Sequence, residues 1–238
     1  MRLGNGFRVL IATTIGFAVP ASAQQTPVLV ELFTSQGCVA CPPADKLMEA
    51  LADRDDIIAL ALHVDYWDYI GWVDSFGQAK FSDRQKNYAR ANGRASVYTP
   101  QMIIGGIDEV KGSSRAQVMG TIATHLSANG AGETVRLTLS QGDQQELVIE
   151  ARAEQNLTSK ADVHLVRYRD SERVEILGGE NAGRSVTYRN IVTAWDNLTT
   201  WDGTQPLRYS VVIEGDEAVV VVIQQQNQGP VLATARRR

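Results

Sequence analysis

Two apolar runs separated by an amphipathic segment constrain the fold of this chain more than any other feature. The runs occupy residues 28–33 and 57–62, and the second contains apolar residues only. Such a continuous run is expected for a strand that is buried on both faces of a sheet. Between the runs, residues 42–52 place three apolar side chains on one face of a helix. The pattern therefore predicts a β-α-β unit.

The sequence continues to alternate helix and strand signals as far as residue 129. Residues 76–92 predict a helix, residues 102–111 a hairpin, and residues 114–128 a further helix that opens with a capping box. An aromatic and acidic loop precedes them over residues 64–75. These signals predict an α/β domain over residues 24–129.

A different period begins at residue 133. Apolar residues now recur at every second position in several short segments, which are separated by turn residues, and no further helix is indicated. This pattern predicts a mainly antiparallel β domain, sandwich-like, over residues 133–238. Residues 129–132 predict a short linker, and we expect the two domains to be separate structural units that pack together.

The N-terminus has the layout of a secretory signal peptide. Arg2 and Arg8 precede an apolar stretch, which ends before Pro20 and the small residues Ala21-Ser22-Ala23. We therefore predict that residues 1–23 are removed and that the protein is periplasmic or secreted. No later apolar run approaches the ~20 residues of a transmembrane helix, so no stable membrane insertion is expected after cleavage.

Charge argues against a nucleic-acid partner. The chain has 23 basic and 27 acidic residues. Removal of Arg2 and Arg8 leaves 21 basic residues, so the mature net charge is 21 − 27 = −6. An acidic chain of this kind lacks the basic surface that binds a phosphate backbone.

The two cysteines of the chain lie in one motif, Cys38-Val39-Ala40-Cys41, directly after the first apolar run. An exported protein can form disulfides, but no cysteine remains for a structural bridge elsewhere. A strand that delivers a C-x-x-C to the start of a helix presents a reactive dithiol. Thiol chemistry is therefore the leading hypothesis, and a static disulfide or half of a zinc site is the alternative.

Four motifs together resemble a known family. They are Glu31 to Cys38, Cys41-Pro42-Pro43-Ala44-Asp45, His63 to Asp68, and Tyr98-Thr99-Pro100-Gln101. In combination they are similar to an uncharacterised secreted bacterial family, domain of unknown function 1223, which is thioredoxin-like. The resemblance implies a thioredoxin-like fold for the α/β domain. It also implies a cis Pro100 beside the dithiol, with the backbone around Thr99 pairing with a substrate chain.

Physical chemistry suggests a role for each group in the motif. We expect Cys38 to be the more exposed, attacking thiolate, favoured by a helix N-terminus, and Cys41 to resolve the mixed disulfide. Pro42 and Pro43 suit the first helical turn, so the helix is expected to begin at Cys41, which would weaken the activation of Cys38. Glu31 is a candidate proton acceptor for Cys41, and a solvated or edge-facing glutamate is the alternative.

Further candidates lie in the loop after the second apolar run. Trp67 and Tyr66 are expected to line a substrate-binding surface, or else to anchor the loop to the core. No metal site is expected, although Cys38, Cys41 and His63 are candidate Cu(I) ligands. The glycine-rich residues 178–184 predict a turn between strands, because no helix follows them.

These observations favour a periplasmic thioredoxin-like thiol-disulfide oxidoreductase that acts on protein or small-molecule disulfides. No cofactor is expected, and the partners would be protein thiols or disulfides and an unidentified redox partner. The motif does not define the direction of electron transfer. The alternatives are a copper-handling protein that uses the same cysteines, and a non-catalytic adaptor on a thioredoxin-like scaffold.

Overall fold

A computed structural model describes residues 26–129, 135–143 and 145–237. The predicted signal peptide, residues 1–23, lies outside these residues, as does most of the predicted linker. The elements of the first half are β1 (Val28–Thr34), α1 (Pro42–Ala52), β2 (Ile57–His63), α2 (Ala79–Ala91), β3 (Gln101–Ile104), β4 (Asp108–Lys111) and α3 (Arg115–Asn129), with a short 3-10 helix at Asp68–Ile70. The β-α-β unit and the hairpin are confirmed.

The first half arranges its strands in the order β2-β1-β3-β4. β1 and β2 are parallel, whereas β3 runs antiparallel to β1 and β4 antiparallel to β3. Alternate residues of β1 face opposite sides of the sheet. Val30 and Leu32 pack with α1 and α3, while Leu29 and Phe33 pack with α2. The burial of both faces explains the continuous apolar runs.

The second half consists of strands only, within the part that the structure describes. They are β5 (Val135–Gln141), β6 (Glu146–Ala153), β7 (Ala161–Glu175), β8 (Ser185–Trp201), β9 (Leu207–Val212), β10 (Ala218–Gln225) and β11 (Val231–Arg237). Their pairings with one another are antiparallel, as predicted.

The expectation of two separate sheets is wrong. Four strands of the second half extend the sheet of the first half, in the order β11-β10-β7-β8-β2-β1-β3-β4. β8 lies parallel to β2, with Ala61 opposite Ile191, and Asn190 Nδ2 donates to the carbonyl oxygen of Ala59 at 2.8 Å. The sheet therefore crosses the predicted boundary at residues 129–132. β8 covers the edge of β2, which would otherwise offer unpaired backbone groups.

The sandwich expected for the second half forms at the far end of this shared sheet. β5, β6 and β9 make a three-stranded sheet, and its side chains pack against those of β7 and β10. Val135, Leu147 and Ile149 from the small sheet meet Leu165 and Val221 from the large one.

None of the helices in the described residues is long and apolar enough to cross a membrane.

Candidate functional site

The two cysteines form a disulfide in the loop between β1 and α1. Their Cα atoms are 5.4 Å apart. Two tight turns shape the loop, because the N–H of Cys38 donates to the Ser35 carbonyl and the N–H of Cys41 donates to the Cys38 carbonyl, each at 3.1 Å. The helix begins at Pro42 with Cys41 as its N-cap residue, as the proline pair predicts.

The start of α1 directs no free backbone N–H at the disulfide. Pro42 and Pro43 carry no amide hydrogen. The N–H groups of Ala44 and Asp45 both donate to the carbonyl oxygen of Cys41, at 2.8 and 3.1 Å. A thiolate at Cys38 would therefore receive little of the stabilisation that open amide donors at a helix N-terminus provide.

Both cysteines are buried, which differs from the expected exposure of Cys38. Cys38 is 1% exposed and Cys41 is fully buried, whereas the intervening Val39 is 53% exposed. Part of the cover comes from the turn between β7 and β8, which we call the β7–β8 turn (residues 176–184). Asn181 in this turn is itself buried, and its Nδ2 donates to the carbonyl oxygens of Gln36 and Cys38, both at 2.9 Å.

The β7–β8 turn also contacts the loop that follows β2. Gly178 approaches Gly71 so closely that a Cβ atom at position 178 would lie 2.6 Å from the Gly71 carbonyl oxygen. The glycine-rich segment is thus a connection between strands, as predicted, and its small residues permit this contact. The second half of the chain therefore closes over the cysteine loop.

A buried acid, Asp45, lies one helical turn after Cys41. Thr34 Oγ1 donates to its Oδ1 at 2.7 Å, and its Oδ2 has no hydrogen-bond partner although it is buried. Burial raises the pKa of Asp45 to about 7, despite the Thr34 hydrogen bond, which lowers it. The sequence analysis missed this residue, although the spacing of four between Cys41 and Asp45 places both on one side of a helix.

A buried histidine-aspartate pair lies beside Asp45 at the end of β2. His63 Nδ1 is 2.8 Å from Asp74 Oδ2, and its Nε2 has no hydrogen-bond partner. The His63 ring meets Phe76 and Tyr188 edge-on, with centroids 5.1 and 4.9 Å away. Thr34 and His63 are adjacent in the β1–β2 register.

Opposing effects act on the ionisable groups around this pair. Burial alone would raise the pKa of Asp74, but His63 and the backbone N–H groups of Gln36 and Phe76 together hold it below its ordinary value. Burial, with smaller contributions from Asp45 and Asp74, raises the pKa of Tyr188 well above its ordinary value. Asp74 thus accepts several hydrogen bonds that stabilise its charge, whereas Asp45 accepts one, from Thr34.

Glu31 does not lie beside Cys41, so its candidate role as proton acceptor is not supported. It is fully buried on the α2 face of the sheet, where Arg84 donates to both carboxylate oxygens at 2.6 and 3.0 Å. Tyr88 donates to the same carboxylate at 2.6 Å, and Arg84 also donates to Gln224 at 3.0 Å. Glu31 is therefore neither solvated nor at an edge of the sheet. Through Arg84 and Tyr88, its carboxylate links β1 to α2 and β10.

Thr99, Pro100 and Trp67 lie near the cysteine loop. Trp67 Nε1 donates to Thr99 Oγ1 at 2.7 Å, and the same tryptophan is 3.3 Å from where a Cβ of Gly37 would lie. The Thr99–Pro100 bond is cis, as the resemblance implies. Pro100 and Ala44 of α1 both border Gly112, which also places Pro100 beside the start of the helix.

Tyr66 lies between these residues and α2, because its hydroxyl is close to the Thr99 side chain and also reaches Gln85. Its hydroxyl donates to Gln85 of α2 at 3.0 Å, and burial raises its pKa to about 12. The side chain therefore anchors the loop to α2, which was the structural alternative for this residue. Trp67 packs against the core and donates to Thr99 beside the cysteine loop, and its role in substrate binding stays a prediction.

The described residues contain no group of three or more histidine, cysteine, aspartate and glutamate side chains arranged to hold a metal ion. His63 Nδ1 faces Asp74, and the sulfurs of Cys38 and Cys41 are bonded to each other. The Cu(I) ligand set of Cys38, Cys41 and His63 is therefore not assembled in this oxidised form.

Comparisons with known proteins place the chain in a family without a defined activity. Its structure is similar to the crystal structure of protein AGR_C_4864 from Agrobacterium tumefaciens, with a TM-score of 0.75 and 29% identity over 90% of this chain and 95% of that chain. It is also similar in fold to HBP35 of Porphyromonas gingivalis, with a TM-score of 0.58 and 12% identity over 90% and 75% of the two chains. No curated protein matches the chain. Residues 29–224 match the family described as protein of unknown function (DUF1223), and the chain therefore belongs to this family.

Proposed function

We propose that this protein is a thiol-disulfide oxidoreductase on a thioredoxin-like scaffold, and that Cys38 and Cys41 are its reacting groups. The observation that carries the proposal is the position of the disulfide. It lies at a strand-to-helix turn, with the unpartnered carboxylate oxygen of Asp45 buried one helical turn away. A purely structural crosslink between residues three apart constrains little chain, because the loop it closes is short.

The arrangement of the first half supports the scaffold. The strand order is β2-β1-β3-β4, with α1 and α3 on one face of the sheet and α2 on the other, and this order supports the scaffold that we propose. The second half would then be an elaboration that extends the sheet and covers the site. The presence of a disulfide also fits an oxidising compartment, which supports a periplasmic or secreted location.

The reaction is a two-step exchange. The Cys38 thiolate attacks one sulfur of a substrate disulfide, so that a mixed disulfide forms and the first substrate thiolate leaves. The Cys41 thiolate then attacks the Cys38 sulfur, and the second substrate thiolate leaves with the electron pair of the broken bond. The substrate gains two electrons, and the cysteine pair is oxidised to the disulfide. An unidentified redox partner must reduce it again.

The direction follows from the start of α1. Groups that stabilise the reduced thiolate make a dithiol pair more oxidising. Pro42 and Pro43 lack N–H groups, and the N–H groups of Ala44 and Asp45 donate to the Cys41 carbonyl. The stabilisation of a Cys38 thiolate by the helix N-terminus is therefore weak. We therefore propose that the pair donates electrons to substrate disulfides.

A polypeptide is the substrate class that fits the rim of the site. Val39, Tyr69, Val73 and Leu177 are large apolar side chains that are more than half exposed. They lie on the cysteine loop, the loop after β2 and the β7–β8 turn, and these three segments contact one another. Thr99 and Trp67 border the same region. Apolar side chains around a disulfide suit an extended protein segment.

The test is a reaction between the pre-reduced folded protein and insulin as a model disulfide substrate. We expect insulin thiols to appear together with the Cys38–Cys41 disulfide. Cys41→Ser should accumulate a mixed disulfide through Cys38, and Cys38→Ser should not react. If the reduced wild-type protein does not reduce insulin, and its oxidised form does not oxidise the thiols of reduced insulin, the proposal is wrong, and a non-catalytic adaptor describes the chain better.

A further inference from the structure

We propose that Asp45 is the residue that takes the proton from Cys41 in the second step of exchange and returns it in the reverse direction. This inference rests on the proposed exchange function and names a group within the same site. It assigns to a helix residue the role for which the sequence analysis considered Glu31.

Position is the first support for this role. Asp45 follows Cys41 by four residues, and its N–H donates to the Cys41 carbonyl, so both residues belong to the same helical turn. Side chains at this spacing on a helix have Cβ atoms about 5–6 Å apart. Glu31, in contrast, projects from the opposite face of β1 and is fully engaged by Arg84 and Tyr88.

The hydrogen bonding of Asp45 is the second support. Thr34 Oγ1 holds Oδ1 at 2.7 Å and thereby orients the carboxylate, while Oδ2 is buried without a partner. Native proteins rarely leave a buried carboxylate oxygen unsatisfied, so such an atom needs an explanation, and a catalytic role is one. An oxygen in this state is free to accept a proton from a neighbouring thiol.

The surrounding charges suit a reversible proton acceptor. Burial raises the pKa of Asp45, the Thr34 hydrogen bond and His63 from β2 lower it, and Asp74 from the following loop raises it, so that the value is about 7. Tyr188 from β8 also faces this group and stays protonated, because its own pKa is raised. Near neutral pH the carboxyl therefore exchanges protons readily with a thiol, whose ordinary pKa is about 8.5.

The Asp45 carboxylate takes the proton of the Cys41 thiol, and the resulting thiolate attacks the Cys38 sulfur of the mixed disulfide. The Cys38–Cys41 bond forms while the bond from Cys38 to the substrate sulfur breaks. The substrate sulfur leaves as a thiolate, and Asp45 keeps the proton until solvent or the reverse reaction removes it.

The experiment separates the two steps with a chromogenic aromatic disulfide, which releases one coloured thiolate when the mixed disulfide forms and a second when Cys41 resolves it. In the wild type, we expect the rate of the second release to rise with pH through a transition near 7. Asp45→Asn retains an acceptor for Thr34 but cannot take a proton. It should slow the second release about a hundredfold and remove that transition.

Two further variants control for structural effects. Glu49→Gln on the same helix should behave like the wild type, because Glu49 contacts Lys46 at the surface. Thr34→Val removes the hydrogen bond that lowers the pKa of Asp45, so the transition should move to higher pH. A second release in Asp45→Asn with the wild-type rate and pH profile would overturn the assignment. If the wild type releases no first thiolate, the exchange function itself fails.

Discussion

At the scale of single residues, Asp45 should couple the stability of the fold to pH. Its pKa rises from 3.8 to about 7, which corresponds to roughly 4 kcal/mol in favour of the protonated carboxyl. Because the folded-state pKa lies above the unfolded-state value, this contribution to the free energy of unfolding is complete below about pH 4. It is lost as the pH rises through about 7.

The comparison of the wild type with Asp45→Asn isolates this contribution, because Asp74 and His63 are present in both proteins. Denaturant titrations between pH 5 and 8 should show that the wild type loses stability relative to the variant as the pH rises. Parallel stability curves across this range would mean that Asp45 does not carry the raised pKa.

The Glu31–Arg84 pair should matter for stability and not for exchange. Removing one partner of a buried ion pair leaves an uncompensated charge and costs about 3–5 kcal/mol. Arg84→Met should therefore lower the free energy of unfolding by about this amount, and the double variant with Glu31→Leu should recover part of it. Chemical denaturation measures both effects. If folded Arg84→Met lost disulfide exchange at unchanged stability, the pair would belong to the site.

The different positions of Glu31 and Asp45 show why single residues were hard to assign from the sequence. Every residue of β1 is buried, so its pattern does not reveal which side chains face α1 and which face α2. The cysteines, Thr99 and Pro100 were identifiable because their motifs are local. Asp45 was not, because its importance depends on burial by β2 and by residues more than a hundred positions away, such as Tyr188.

At the scale of elements, the β7–β8 turn should control access to the disulfide. Asn181→Ala removes two hydrogen bonds to the carbonyls of Gln36 and Cys38. The loss of such buried bonds costs about 1–3 kcal/mol. We expect a small dithiol to reduce the native disulfide about tenfold faster in this variant, because local opening becomes easier.

Glu180→Ala is a matched control, because Glu180 lies in the same turn and is exposed. It should leave the rate of reduction unchanged. Equal rates in Asn181→Ala and the wild type would mean that reduction does not require the turn to move.

Most helices and strands of the first half were predictable, because each has a local period or a clear end signal. The start of α1 at Pro42 is an example, since proline suits the first helical turn. The cover over the cysteines was not predictable, because a glycine-rich turn shows that the chain reverses and says nothing about what the turn contacts.

At the scale of the whole molecule, the shared sheet should make the chain unfold as one unit. Val166, Tyr168, Val192 and Val220 from the second half belong to the same apolar core as α2. A fragment of residues 24–129 would expose this core and the edge of β2. We therefore expect it to lack the dispersed amide spectrum of a folded protein, whereas residues 24–238 together should unfold in a single transition. A folded fragment would restore the two-unit interpretation.

The shared sheet could not be predicted from the sequence, for a physical reason. A continuous apolar strand such as β10 shows that both of its faces are buried, but its pairing partners are set by contacts distant in sequence. The apolar run of residues 57–62 does not indicate which strand pairs with the edge of β2 that β8 covers. The antiparallel pairing and the sandwich were predictable, and the sheet to which the strands belong was not.

The most direct test of the central claim is a redox titration of the Cys38–Cys41 pair in the folded protein of residues 24–238. The protein is equilibrated with dithiol buffers, free thiols are trapped by alkylation, and the alkylated fraction is read by mass. We predict one two-electron transition in the native state, at a potential near or below the value of about −270 mV that is typical of thioredoxin. A disulfide that is reduced only when the protein is unfolded would contradict the exchange function, and a potential near about −120 mV would contradict its direction.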